Sequence, residues 1–162
     1  MTDLVIIIVS YNTRHHLQAC LRSLHAPAPK IGHEIVVVDN GSEDGSVDAV
    51  RADWPRVRVI EAGGNIGYAR ANNMAIRATG SDLLLLLNSD TIVPKGAVDC
   101  LVAQLRTRPD TGIIGPRLVD PDGRLELSYG RMLGPLNEIN QKLRGVLLKR
   151  QIPVLAACVQ RG

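Results

Sequence analysis

The sequence predicts an α/β fold, an open and mostly parallel β-sheet covered by helices. Three observations carry that expectation. Short apolar runs alternate with segments of helical period through the first ninety residues. The runs are continuous rather than alternating, the mark of strands buried on both faces. Aromatic residues are only 2% of the 162 and Phe is absent, so the core must be built from aliphatic side chains.

Residues 4–9 form the first apolar run and end at Ser10-Tyr11-Asn12, a strand followed by a turn. Leu17, Leu21 and Leu24 then recur at helical spacing, with Thr13 as the expected N-cap. Residues 34–38 are a second β-branched strand ending at Asp39. The polar stretch 40–46 leads into a short helix through Val47 and Val50. Residues 57–61 are a third strand, followed by Gly63-Gly64-Asn65. Residues 68–79 place Ala71, Met74, Ala75 and Ala78 on one helical face and stop at Gly80. Residues 82–87 are a fourth strand, expected to be buried, ending in Asn88-Ser89-Asp90.

Beyond Asp90 the rhythm changes. Residues 97–106 read as a helix after Pro94, and 112–119 as a strand. The turn Asp120-Pro121-Asp122-Gly123 would lead into a returning strand over 124–128. Residues 136–150 set Leu136, Ile139, Leu143, Val146 and Leu147 against Lys142, Arg144, Lys149 and Arg150, a basic amphipathic helix. Residues 152–162 read as the start of another apolar strand.

Open parallel sheets bind ligands at the carboxyl ends of their strands. Here those ends carry Ser10, Tyr11 and Asn12, then Asp39 and Asn40, then Gly64 and Asn65, then Asn88 and Asp90. All are polar, acidic or glycine, and the topology brings them to one edge. Each alone has a plain structural reading: Asn88-Ser89-Asp90 as a turn or cap, Asp39 as the start of the Asn40-Gly41 turn. Asn72 and Asn73 cost helix propensity, which solvent exposure or a polar role would explain.

The bulk numbers exclude several classes. A net charge of +3 is mild, and the scarcity of stacking aromatics argues against nucleic acid. Cys20, Cys100 and Cys158 are odd in number and widely spaced, as in a reduced protein without a disulfide framework. His15, His16, His25 and His33 form no ligand pattern. No run reaches membrane-spanning length; the cysteine usage is that of a cytosolic-type protein, so a cytoplasmic chain is expected.

The segments VIIIVSYNT, EIVVVDNGSEDGS and EAGGNIGYARANNMAIRATGSDLLLLLNSDT together resemble the family 2 inverting glycosyltransferases, in particular the rhamnosyltransferase-like branch of cell-wall and surface-polysaccharide synthesis. The resemblance covers roughly the first 120 residues by extent of pattern match. It implies the GT-A fold, a Rossmann-like three-layer sandwich, and a nucleoside-diphosphate-sugar donor. Ser10, Tyr11 and Asn12 match the family's first nucleotide-contact loop. Asp39, with Asn40 beside it, matches the acid that reads base and ribose. Gly64, Asn65 and Gly67 match a donor-site loop. Asn88-Ser89-Asp90 stands at the DxD motif, with Asp90 matching the acid that holds Mg²⁺ or Mn²⁺ and Asn88 departing from the family's Asp.

The resemblance also implies a carboxylate base for the acceptor hydroxyl, in a later acidic motif. Over 131–162 Glu138 is the single acidic residue, so that base is expected beyond Gly162 and the fold is expected to be truncated. The expected organisation is therefore a donor-binding domain over 1–120. Residues 121–162 would hold the hairpin, the basic helix and the start of the acceptor-side region. A glycan or lipid-linked acceptor is implied. The basic helix suggests peripheral contact with the inner face of a membrane, or with a partner. A cut sheet edge would favour homo-oligomers. Two other readings compete: a non-catalytic docking fragment, and a nucleotidyltransferase. The latter would want a Gly-rich basic loop where Ser10-Tyr11-Asn12-Thr13 stands.

Overall fold

A computed structural model describes residues 2–120, 122 and 124–126. The chain divides into two compact units at Ile114/Gly115. The first holds β1 (Leu4–Ser10), α1 (Arg14–His25), β2 (His33–Asp39), α2 (Ser46–Asp53), β3 (Arg58–Glu61), α3 (Tyr68–Ala78), β4 (Leu83–Asn88) and α4 (Ala97–Arg106). The four strands are parallel and stand in the order β3-β2-β1-β4.

The central position of β1 explains its composition. With a strand on each side and helices above and below, both faces must be apolar, and Ile6, Ile7 and Ile8 are each 0% exposed. Burial of each stabilises the fold by about 1.5–3 kcal/mol. The even residues Leu4, Ile6 and Ile8 pack with Leu17, Cys20, Leu21 and Leu24 of α1, Val50 of α2 and Val98 of α4. The odd residues Val5, Ile7 and Val9 pack with Ala71 and Ala75 of α3. Alanine at those two positions lets the α3 backbone sit close to the sheet. The result is three layers.

Three expectations need correction, and one pair left open is resolved. β4 is not buried on both faces: Leu83, Leu85 and Leu87 pack into the core, but Leu84 and Leu86 are 41% and 48% exposed. Among the described residues β4 stands at the sheet edge, and α3 lies against β1 and β2 rather than over the same face of β4. Thr13 stands at the α1 N-cap position but makes no capping hydrogen bond, since its hydroxyl is engaged elsewhere. The strand expected over 112–119 is only β5 (Leu118–Val119). It pairs antiparallel with β6 (Leu125–Glu126), so the hairpin forms, with Leu118 opposite Glu126 and Val119 opposite Leu125 among the described residues. Finally, the mid-helix asparagines differ: Asn73 is exposed, whereas Asn72 is buried. The helix expected over 136–150 and the strand over 152–162 lie outside the described residues.

Candidate functional site at the strand ends

Register sets the site. Ser10 pairs with Asp39, Asp39 with Glu61, and Val9 with Asn88, so the four strands finish level at one edge of the sheet. The chain runs from β1 outward to β3 on one side and returns to place β4 on the other side of β1. That reversal is a topological switch point, the place where open parallel sheets commonly bind ligands between diverging loops. The segments that leave the two strands flanking this point are Ser10-Tyr11-Asn12 and Asn88-Ser89-Asp90.

A hydroxyl chain crosses this switch point. Thr13 Oγ1 donates to Ser89 Oγ at 3.0 Å and lies 2.9 Å from Ser10 Oγ. A hydroxyl carries one proton, so the Ser10 hydroxyl donates to Thr13. Ser10 and Ser89 are 1% and 8% exposed, and the chain satisfies both while tying the β1 end to the β4 end. It also explains why Thr13 leaves the cap of α1 open.

Asp44 closes that cap instead. Its Oδ2 accepts the Arg14 N–H at 2.8 Å, and its Oδ1 accepts from Ser46. Partial burial pushes the Asp44 carboxyl up, but the bonds from Ser46 and Arg14 outweigh it and hold the group below the ordinary carboxylate range. A lowered value in the folded state means that the stabilisation is present at neutral pH and is lost as pH falls through that lowered value. Asp44→Ala is therefore expected to cost about 1 kcal/mol at pH 7. Urea unfolding of both proteins should show the difference shrinking below about pH 4; a difference independent of pH would contradict the capping role.

Asn12 takes φ 53°, a left-handed conformation that Asn tolerates better than most residues. Its backbone N–H donates to Ser42 Oγ at 2.9 Å, and its Oδ1 accepts the Glu43 N–H at 2.8 Å. The first loop is thereby fixed to the second, and the Tyr11 ring is left 47% exposed. Asp39, only 5% exposed, accepts the Gly41 and Ser42 N–H groups on Oδ2 at 3.2 and 3.0 Å. Its Oδ1 is buried and has no partner among the described residues. An orphaned carboxylate oxygen is costly, and a donor arriving from a ligand would relieve it.

Asn40 and Asn65 serve each other. Asn40 Nδ2 donates to Asn65 Oδ1 at 3.0 Å, and Asn40 Oδ1 accepts the Ile66 N–H at 2.9 Å. Asn65 Oδ1 also accepts the Gly67 N–H at 3.1 Å. Gly67 carries φ 86° as α3 begins. These contacts make Asn40 and Asn65 a brace between the loops after β2 and β3. Gly64 lies against Gly41 within that brace.

At the end of β4, Asn88 and Asp90 are exposed. Asn88 Oδ1 accepts from the Tyr68 hydroxyl at 3.0 Å. The backbone carbonyl of Asn88 lies 3.8 Å from Cys20 Sγ. Burial first, and the charge of Asp90 second, push that thiol up to about 12. A thiol raised in this way stays protonated near neutral pH, so Cys20 reads as a core side chain. Among the described residues the Asp90 carboxylate has no hydrogen bond or ion pair, and no three His, Cys, Asp or Glu side chains gather into a metal cage. An unengaged hard oxygen at a crevice suits Mg²⁺ or Mn²⁺ only if phosphate oxygens and water complete the shell.

The structure thus joins Asn40 to Asn65 directly, Ser10 to Ser89 through Thr13, and Asn12 to the loop after β2. Asp39 and Asp90 share no partner. Sequence reasoning alone does not single out Thr13's hydroxyl, Tyr68, Gly41 or Asp44 as site residues. The Asn40-Gly41 pair is a visible turn signal, but nothing local marks the other three.

Comparison with known proteins agrees with this architecture. Glycosyl transferase family 2 matches residues 5–160. A Mycobacterium tuberculosis protein named N-acetylglucosaminyl-diphospho-decaprenol L-rhamnosyltransferase is 31% identical over 144 residues, covering 82% of this chain and 47% of that protein. An N-acetylglucosaminyltransferase of Bradyrhizobium elkanii is 35% identical over 107 residues, 64% of this chain and 58% of its own. The chain thus spans about half the length of the curated relatives it matches. Among solved structures, S. aureus TarS 1-349 in complex with UDP-GlcNAc superposes with a TM-score of 0.59 at 20% identity, covering 73% of this chain and 40% of that one. The mannosyltransferase PcManGT from Pyrobaculum calidifontis, in complex with GDP-Man and Mn²⁺, gives 0.59 at 23% identity over 74% and 36%. These two likenesses establish the GT-A fold.

Proposed function

The chain belongs to glycosyl transferase family 2, and from that premise we propose that it forms the donor-binding part of an inverting glycosyltransferase. The donor is a nucleoside-diphosphate-sugar, and the product a cell-wall or surface polysaccharide. One observation carries the reading: hydrogen bonds tie the polar ends of all four parallel strands to one another along one edge of the sheet, across its topological switch point. The ligands bound in the two structural neighbours support a nucleotide-sugar donor and a divalent cation. The name of the mycobacterial relative supports a lipid-linked acceptor and rhamnosyl transfer.

In this reading the exposed Tyr11 ring and the orphaned Asp39 Oδ1 receive the nucleoside. Asp39 takes a hydrogen bond from a base imide or a ribose hydroxyl, which relieves the buried oxygen. Asn40, Asn65, Gly64 and Gly67 hold the neighbouring loops at the right separation. Asn12 fixes the first loop against the second, and Ser10 ties it to Ser89. Asp90 holds Mg²⁺ or Mn²⁺ beside the diphosphate. When bound, the ion supplies Lewis-acid stabilisation of the leaving diphosphate. These residues carry the donor half of the reaction; deprotonating the acceptor hydroxyl is assigned to a carboxylate outside this set.

Calorimetric titration with UDP, dTDP and GDP tests the reading. At least one is expected to bind in the presence of Mn²⁺ or Mg²⁺, and EDTA should weaken that binding by about tenfold or more, at least ~1.4 kcal/mol. Absence of binding by all three, with either metal, would overturn it.

A further inference from the structure

Tyr68 opens α3, yet its hydroxyl reaches the end of β4. It donates to Asn88 Oδ1 at 3.0 Å. The residue is held at its other end too: Asn72, 4% exposed, donates from Nδ2 to the Tyr68 carbonyl at 3.0 Å. The phenol is half exposed, so apolar burial alone does not account for its placement. A side chain anchored at its backbone by a buried amide, and at its tip by a residue of another element, is fixed in direction. What it fixes is Asn88. An amide has one carbonyl end and one NH₂ end. Engagement of the carbonyl by the phenol takes one of its two lone pairs and orients the amide, leaving an NH₂ that has no partner among the described residues as the free donor.

We propose that Tyr68 is a positioning residue. By holding the Asn88 carbonyl it presents the Asn88 amide as a hydrogen-bond donor to the donor's diphosphate, so that Asn88 contributes a proton donor rather than a second metal ligand. This rests on the donor-site reading of the strand ends. The chemistry is consistent with a neutral side chain at this position. A carboxylate beside Asp90 would bind cation strongly but repel phosphate oxygens unless the cation lay between. An NH₂ group attracts those oxygens directly. Asp90 then carries the metal alone among the side chains of this turn. The hydroxyl is the essential feature, and Phe, with the same ring, would keep the packing but release the amide.

The test is a double-mutant cycle on the full chain: the native protein, Tyr68→Phe, Asn88→Ala and the two combined. Each is titrated with UDP, dTDP and GDP in Mn²⁺. Tyr68→Phe is expected to weaken nucleotide binding about fivefold, the loss of one oriented hydrogen bond. In the Asn88→Ala background the same change should have no further effect. A fivefold loss in both backgrounds, or none in the native one, would overturn the proposal. Asn88→Asp gives a second readout. There the phenol competes with the cation for a carboxylate oxygen, so adding Tyr68→Phe should tighten Mn²⁺ binding in the absence of nucleotide, and weaker or unchanged Mn²⁺ binding would contradict it. The side-chain amide resonance of Asn88 separates this inference from the reading beneath it. If no nucleotide binds but Tyr68→Phe moves that resonance, the donor-site reading falls and the Tyr68–Asn88 contact stands. An unmoved resonance removes the contact itself.

Discussion

Asp90→Ala lowers affinity for nucleoside diphosphate in Mn²⁺ by about 30-fold or more, or ~2 kcal/mol, while thermal stability stays within about 0.5 kcal/mol of the native protein. The two parts of this expected result have separate causes. Asp90 is exposed, bonded to nothing among the described residues, and follows the last strand of the sheet, so its removal leaves the fold intact. A cation bridging this group to a diphosphate would be left with phosphate oxygens and water alone. The measurement is calorimetry with and without Mn²⁺. In the variant the two titrations should converge. Unchanged metal-dependent binding would show that the ion, if present, is held elsewhere.

Gly41→Ala is expected to be the most damaging single methyl in the site. Gly41 has φ +89°, where an L side chain is strained, and a Cβ there would stand 2.7 Å from Gly64 Cα, 2.8 Å from its carbonyl carbon and 3.0 Å from the Asn65 nitrogen. All three are backbone atoms, so no side chain can swing aside. The loops after β2 and β3 must separate. That motion strains the Gly41 N–H bond to Asp39 and the Asn40–Asn65 pair together. The cost should reach about 2–4 kcal/mol, combining backbone strain with overpacking, and the melting temperature should fall on the order of 10 °C. Gly63→Ala is the control. It has φ +74°, but nothing lies within 4 Å of where the methyl would stand, so strain alone applies and about 1 kcal/mol is expected. Equal losses from the two substitutions would show that the close approach of the loops is not what matters.

Much of this fold is legible in the sequence because parallel strands buried on both faces announce themselves as continuous apolar runs. The residues of β1, β2 and α4 fall where the spacing predicts. The polar strand ends are legible for the same reason, since topology alone sends them to one edge. What is not legible depends on contacts between distant segments. Leu84 and Leu86 look as buried as Ile6 and Ile8 until the position of α3 over β1 and β2 leaves them uncovered. Thr13 has the composition of a cap, but Ser89, 76 residues away, takes its hydroxyl, and Asp44 from another loop takes over the helix end. Asn72 and Asn73 are adjacent and identical, yet helix rotation turns one inward to hold the Tyr68 carbonyl and the other to solvent. The strand over 112–119 is shorter than its composition suggests: Ile113, Ile114 and Leu118 favour β-structure, whereas ladder pairing begins only at Leu118.

The most direct test of the account is a crystal structure of the chain soaked with UDP, dTDP or GDP and Mn²⁺. The diphosphate should lie between the ends of β1 and β4, with the ion coordinated by Asp90 and the nucleoside against Tyr11 and Asp39. Nucleotide bound away from that crevice, or a phosphate group there with Asp90 turned from the ion, would contradict it.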